Sequence, residues 1–236
     1  TGLHMKQLLP HVAALKQVLK ALLLEDQRDL PVTPSAMRAL FDEGMDAWVA
    51  ALPDLGVWQH ADRARMHAEL AHILDADKVQ AASRYAPEAF FEERAILRPA
   101  SVGTVGSGNH FVEIQVVDEI LQRHSAYAAG LKLGEVVVMV HTGSRDVGFY
   151  VGQRWQDKAK AAWPVTEKYP VSGLFALAGS SAAEYLLAMG GAARYAWANR
   201  IAITELVRAG LRQVLGTEHS RVVVDVSHNV VLQEQG

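Results

Sequence analysis

The sequence contains no cysteine, no long apolar run and no large excess of charge of either sign. The absence of cysteine excludes disulfide scaffolds and thiolate metal sites within these 236 residues. No uninterrupted apolar run exceeds six residues, whereas a membrane-spanning helix needs about 20, so no membrane association is expected. A formal net charge of −3 excludes a global positive field, and any nucleic-acid site must therefore be local. No leader-like segment opens the chain, and a cytoplasmic location is expected.

The chain is rich enough in apolar side chains to form a packed core, with 50% hydrophobic and 21% charged residues. Residues 1–98 have a helical pattern. An apolar stripe with spacings of three and four residues runs along residues 8–22, and it predicts an amphipathic helix. Thr33 is predicted to cap a second helix, over residues 35–51, with Pro34 at its first position. Further helices are predicted over residues 61–74 and 87–94.

The pattern changes after Pro99, where glycines and β-branched residues become frequent. Strands are predicted over residues 110–117, 135–140 and 221–226. A helical stretch is predicted over residues 180–215, and the pair Gly190-Gly191 leaves open whether it is one helix or two. In its second half the apolar spacing of Ile203, Val207, Leu211 and Val214 predicts an inner stripe that faces the core. These elements predict an α+β fold, with a mixed sheet flanked by helices. We expect one integrated domain, with a helical subregion at residues 1–98 and a core at residues 99–236.

Three of the ten histidines lie at the limits of predicted strands. His110 follows the glycine-rich residues 103–108, His141 follows the second strand, and His228 follows the third strand. Imidazole is a common metal ligand, and strand ends hold side chains rigidly at one edge of a sheet. The pattern therefore indicates a site for one or two divalent ions. Structural hydrogen bonding is the alternative role for each of these histidines.

The glycine-rich segment at residues 103–108 has neither the dinucleotide-binding spacing nor a Walker lysine. Its backbone amides could cradle a phosphate, or it could simply be a tight turn. Strand alternation places Asn109 and Glu113 on one face, where they could bind a base or ribose, and His110 on the other. Arg145 could contact a phosphate, or it could form an ion pair with Asp146.

Four motifs in this order resemble the signatures of RtcB-type RNA ligases. They are GTVGSGNHFVEIQ at residues 103–115, HTGSR at 141–145, YAWANR at 195–200 and DVSHN at 225–229. The resemblance implies an RtcB-like fold, and the first hundred residues match it in character and position only.

This resemblance implies a GTP- and manganese-dependent ligase that acts in tRNA splicing or RNA repair. Such a ligase joins RNA 3′-phosphate or 2′,3′-cyclic phosphate ends to 5′-hydroxyl ends, through a histidine–GMP intermediate. Two Mn²⁺ ions are the implied cofactors, GTP is the cosubstrate, and an activating protein partner is left open. The implied metal ligands are His110, His141 and His228, and Arg145 is the implied RNA phosphate contact. The implied nucleotide-binding residues are Asn109, His110, Phe111, Val112, Glu113, His228 and Asn229.

The sequence also departs from the family pattern. The family has an aspartate and a metal-bridging cysteine upstream of the helical region, and an acceptor histidine downstream of the Ser-His-Asn motif. We therefore expect the central part of a longer ligase, with the acceptor histidine beyond Gly236 and no catalytic nucleophile in this chain. The isolated chain is then expected to be inactive. Asp146 replaces a usual glycine and indicates a divergent substrate preference. A metal-dependent phosphodiester hydrolase and a non-catalytic RNA-binding relative are the alternative functions.

Overall fold

The computed structural model describes residues 1–232, in which eight α-helices and two β-strands are formed. The last four residues of the predicted core subregion lie outside the described residues. Short 3₁₀ turns and one π-helical turn connect the elements of the first hundred residues. The helices are α1 (Met5–Leu8), α2 (Val12–Leu24), α3 (Pro34–Arg38), α4 (Met45–Ala51), α5 (Arg63–Glu69), α6 (Arg123–Ala128), α7 (Arg145–Ala161) and α8 (Gly179–Leu215); the strands are β1 (Phe111–Val116) and β2 (Val136–His141).

The helical character predicted for the first hundred residues is present, but the helices are shorter than the sequence predicts. The Thr33 cap is confirmed, since its hydroxyl accepts a hydrogen bond from the Ala36 amide at 3.0 Å. The predicted helix over residues 35–51 is interrupted, because the π-helical turn Ala39–Glu43 ends at Gly44, which has a φ of +117°. The predicted helix over residues 61–74 ends as a 3₁₀ turn, and the segment 87–94 contains only the 3₁₀ turn Glu88–Phe91.

The two strands form an antiparallel ribbon with a continuous register from Phe111↔His141 to Val116↔Val136. One face of the ribbon, including Val112 and Val140, packs against the hydrophobic core. The opposite face exposes Glu113. The α+β class is confirmed. The predicted mixed sheet is wrong for the described residues, in which the sheet has two antiparallel strands.

The predicted third strand at residues 221–226 is also wrong. This segment makes one isolated bridge, between Ile73 and Asp225. The Leu74 amide donates to the Asp225 carbonyl and the Asp225 amide donates to the His72 carbonyl, both at 2.9 Å. A β-branched sequence becomes a strand only where a partner backbone runs beside it, and residues 72–74 offer one bridge. His228 therefore does not follow a strand.

Helix α8 is continuous over 37 residues, so Gly190-Gly191 does not divide it. These glycines permit close packing, because a Cβ at Gly190 would overlap the carbonyl oxygen of Gln80. The predicted inner stripe is confirmed, with Ile203, Val207 and Leu211 buried and Val214 partly buried.

One hydrophobic core contains side chains from both predicted subregions. Helix α2 packs along α8, where Gly210 of α8 lies against Leu19 of α2. The middle of α8 contacts the turn that follows β2, and α8 also packs against α7, so this helix connects the helical region to the ribbon. None of the helices within residues 1–232 combines the length and apolarity that crossing a membrane requires.

Replacing Gly190 by alanine should destabilise the fold, because the added methyl group must displace the backbone at Gln80. We expect a loss of about 1–3 kcal/mol in the free energy of unfolding, as is usual for overpacking. Gly152→Ala in α7 is the matched control, since its Cβ would meet no atom of the described residues within 4 Å. The control should be neutral or gain up to about 1 kcal/mol from helix propensity. Urea denaturation measures both, and equal stabilities would contradict the close packing at Gly190.

Candidate functional site

A cleft of about 480 Å³ lies between the end of β2, the start of α7, the middle of α8 and residues 226–230. Its polar side is formed by three imidazoles and Arg145. Other parts of its lining are small and largely apolar residues of α7 and α8. Those residues are Gly148, Val151, Gly152, Tyr185, Met189, Ala192, Ala193 and Ala196.

The histidines of the second and fourth motifs are in contact. The Nε2 atoms of His141 and His228 are 3.1 Å apart, and their ring centroids are 5.3 Å apart and steeply inclined. At this distance one ring donates an N–H to the unprotonated nitrogen of the other. The Phe111 ring packs against His141 from the paired position on β1, with a centroid distance of 5.3 Å.

His110 lies beside this pair, with its ring centroid 5.6 Å from that of His141. Its Nδ1 atom is buried and has no hydrogen-bond partner in the described residues. Burial lowers the pKa of His110, and the positive charge of Arg145 lowers it further, followed by His141 and His228. The lowered pKa favours the neutral imidazole, which is the form that binds metal ions.

Arg145 begins α7 with a φ of +52°, a left-handed conformation that is uncommon for any residue except glycine. Its Nε donates to the Thr104 hydroxyl at 3.1 Å. A Cβ at Gly106 would overlap the Arg145 guanidinium and crowd His110, so this loop position requires glycine. Asp146 is exposed, and no ion pair joins it to Arg145 among the described residues. The alternative of a simple Arg145–Asp146 pair is therefore not supported.

Two side chains of α8 that the sequence analysis did not single out hold the loops around the cleft. Asn199 is completely buried, and its Oδ1 accepts from the amides of Gly103 and Thr104 at 2.8 and 3.1 Å. Its Nδ2 donates to the carbonyls of Thr104 and Gly143 at 3.0 and 3.1 Å. The sequence could have indicated a buried Asn199, because it precedes Ile203 by four residues and so lies on the same helix face as the predicted inner stripe.

Arg200, the next residue, connects the two segments that carry the histidine pair. Its Nε donates to both carboxylate oxygens of Asp225, at 3.0 and 2.8 Å. Its Nη2 donates to Asp225 at 2.6 Å, and its Nη1 donates to the Thr142 carbonyl at 3.0 Å. The indole of Trp197 donates to the Ser227 hydroxyl at 2.8 Å. The YAWANR motif thus contributes loop contacts in addition to core packing.

The structure brings some of the predicted site residues together and leaves others apart. The cleft is lined by His110, His141, Arg145, His228 and Asn229. The remaining predicted nucleotide-binding residues, Asn109, Phe111, Val112 and Glu113, are not among its lining residues. Within residues 1–232, no group of three or more His, Cys, Asp or Glu side chains is arranged to hold a metal ion. The ligand and nucleotide-binding roles therefore remain predictions.

Comparison with known proteins identifies the family. The family model described as tRNA-splicing ligase RtcB matches residues 1–236. The chain belongs to the RtcB family. The resemblance of its four motifs to RtcB signatures is thereby confirmed.

Curated relatives carry the same family name. The chain is 34% identical over 178 residues to the tRNA-splicing ligase RtcB of Thermococcus kodakarensis, covering 71% of this chain and 36% of the relative. It is 41% identical over 157 residues to that of Pyrococcus horikoshii, covering 61% and 18%. For Pyrobaculum aerophilum the identity is 38% over 153 residues, covering 57% and 29%. The aligned part of this RtcB chain thus spans about a third or less of the length of these relatives.

The depressed pKa of His110 predicts how this RtcB chain responds to acid. The folded state resists protonation of His110, whereas the unfolded state takes up the proton near the ordinary value of about 6.5. The contribution of His110 to stability is therefore complete above that value, and it is lost as the pH falls through the lower folded pKa.

Removing the neighbouring positive charge with Arg145→Met should raise the pKa of His110 towards 6.5. An NMR titration of the metal-free chain, following the imidazole carbons, measures this shift. Arg154→Met is the control, because the exposed Arg154 binds the Tyr150 hydroxyl and is not among the groups that shift His110. An unchanged His110 pKa in Arg145→Met would show that Arg145 has no electrostatic influence at the site.

Proposed function

We propose that this chain supplies the metal- and GTP-binding part of a Mn²⁺-dependent RNA ligase. The ligase joins RNA 3′-phosphate or 2′,3′-cyclic phosphate ends to 5′-hydroxyl ends in tRNA splicing or RNA repair, through a histidine–GMP intermediate. The observation that carries the proposal is the contact between the His141 and His228 Nε2 atoms at the cleft, in a chain of the RtcB family. In this proposal residues 1–98 form the helical scaffold, and residues 99–236 form the binding core.

The histidine pair fits a divalent ion. Two nitrogen ligands about 2.0–2.1 Å from an ion are about 2.9 Å apart at a right angle and about 3.4 Å apart in a tetrahedral arrangement. The observed 3.1 Å lies between these values. His110, with its lowered pKa and its ring against His141, is the proposed third ligand. Imidazole also binds Zn²⁺, so the choice of Mn²⁺ rests on the family and not on the donor set.

The chain's own side chains have distinct proposed roles around the nucleotide and RNA. Bound Mn²⁺ supplies positive charge that offsets the charge of the phosphates. Arg145 donates hydrogen bonds to an RNA phosphate from the cleft wall, where its guanidinium is positioned beside Thr104. His228 and Asn229 line the guanylate, and Asn229 has a left-handed φ of +62° that turns the chain at the cleft.

The proposed site for the guanine base is the exposed face of β1. Phe111 and Glu113 are two residues apart and share this face. Phe111 contacts His141, so a nucleotide can extend from the histidine pair along the strand. The Glu113 carboxylate is exposed and accepts a hydrogen bond from Gln115 at 2.9 Å. A carboxylate there can accept the N–H groups of guanine, which adenine does not present in the same pattern.

Mn²⁺ should raise the melting temperature of the chain, because an ion that binds only the folded state stabilises it. His141→Ala and His228→Ala should abolish the increase, and His110→Ala should reduce or abolish it. His124→Ala is the matched control, since this exposed histidine of α6 lies outside the cleft. Thermal denaturation with and without Mn²⁺ measures the effect. An increase that persists in all three cleft variants would contradict the proposed metal site.

GTP should bind the Mn²⁺-loaded chain more tightly than ATP, and Glu113→Gln should reduce this preference because the amide replaces one acceptor with a donor. Calorimetric titration of both nucleotides measures the preference, with Glu119→Gln as a control outside the cleft and outside β1. Equal affinities for GTP and ATP would contradict the guanine site.

Cleavage of RNA by the Mn²⁺-loaded chain without GTP would instead favour the alternative function, a metal-dependent phosphodiester hydrolase. Salt-sensitive RNA binding without metal or GTP affinity would favour the non-catalytic relative.

A further inference from the structure

We infer that Arg200 is a positioning residue that sets the separation of His141 and His228. The side chain of Arg200 contacts the residue that follows His141 and the residue that precedes His228. The expected effect of Arg200 on Mn²⁺ affinity rests on the proposed function. Its expected effect on the positions of the two imidazoles does not depend on any metal.

The guanidinium of Arg200 reaches both segments with different nitrogens. Nη1 donates to the carbonyl of Thr142, directly after His141, at 3.0 Å. Nη2 donates to the hydroxyl of Ser227, directly before His228, at 3.3 Å. The carboxylate of Asp225 accepts hydrogen bonds from Nε and Nη2 of the same guanidinium. One planar group therefore binds the backbone beside His141, at the Thr142 carbonyl, and the side chain beside His228, at the Ser227 hydroxyl.

This connection is rigid at each end. The side chains of Arg200 and Asp225 are 13% and 11% exposed, and charge-assisted forked pairs of this kind have a narrow range of geometries. The backbone of Asp225 is fixed by its two hydrogen bonds to residues 72–74. The Trp197 indole fixes Ser227 from the same helix. Because the segment carrying His228 belongs to no strand formed within residues 1–232, the Arg200 contacts take the place of a sheet in orienting it.

Arg208 provides a comparison on the same helix. It is also buried, and it pairs with Glu205 and Glu69 at 2.5 and 2.6 Å. It donates to the Ser220 carbonyl at 3.2 Å, so it too ties the chain after α8 to the helical region. Arg208 is not among the residues that line the cleft. Its removal should destabilise the fold without moving the two imidazoles, which separates a positioning role from a purely structural one.

The first test uses the metal-free chain with ¹⁵N-labelled histidine. The Nε2–H···Nε2 contact transmits a nitrogen–nitrogen coupling that NMR detects through the ring carbon-bound protons. We expect the coupling in the unsubstituted chain and in Arg208→Gln, and its loss in Arg200→Gln. Arg200→Lys should also lose it, because one ammonium can bind Asp225 but cannot span to Thr142 as the fork does. Arg200→Lys decides the question if Arg200→Gln does not fold.

Coupling that survives in the folded Arg200 variant would overturn the inference, and so would its absence from the unsubstituted chain.

The second test measures Mn²⁺ affinity by calorimetry at a temperature where every variant is folded. We expect a 10- to 100-fold weaker affinity in the Arg200 variants, the usual effect of losing a group that orients metal ligands. Arg208→Gln should stay within about twofold of the unsubstituted chain. An unsubstituted chain that binds no Mn²⁺ would refute the proposed function, and the NMR coupling would still decide the role of Arg200.

Discussion

The geometry of the cleft depends on the hydrogen bonds that the buried side-chain amide of Asn199 makes. Its oxygen and nitrogen make four hydrogen bonds to backbone groups of the glycine-rich loop and of Gly143. An amide without exposed surface is costly unless its hydrogen-bonding capacity is used, and here it is fully used. The loop before His110 and the turn after His141 are therefore held at a fixed distance from each other.

Other residues of helix α8 also hold the surrounding chain in place. Tyr195 hydrogen-bonds Ser101 at 2.6 Å, four residues before Asn199. The small residues of the helix allow close approach, as at Gly190, and its apolar stripe buries it against the helical region. A short antiparallel ribbon is marginally stable alone, so the attachment of its flanking loops to Asn199 of α8 explains how it holds His141, the last residue of β2, in place.

The sequence predicts the local features of this structure better than its long-range ones. The Thr33 cap and the Ile203–Leu211 stripe depend on neighbouring residues, and each is present. Residues 221–226 have the same β-branched character as the two strands, but in the described part of the chain they form one isolated β-bridge. The proximity of His141 and His228 could be suspected from the family motifs. We attribute this proximity to the hydrogen bonds of the Arg200 guanidinium to Asp225 and the adjoining segments. These contacts join residues far apart in sequence, so no periodic pattern in the sequence predicts them.

In the proposed site, His141 and His228 bind one divalent ion together. Crystals of the chain grown with Mn²⁺, measured at the manganese absorption edge, test this directly. We expect an anomalous density peak within about 2.0–2.3 Å of both Nε2 atoms, near the usual nitrogen–metal distance. A manganese peak remote from this pair, or an undisturbed Nε2···Nε2 contact with no peak at saturating Mn²⁺, would contradict it.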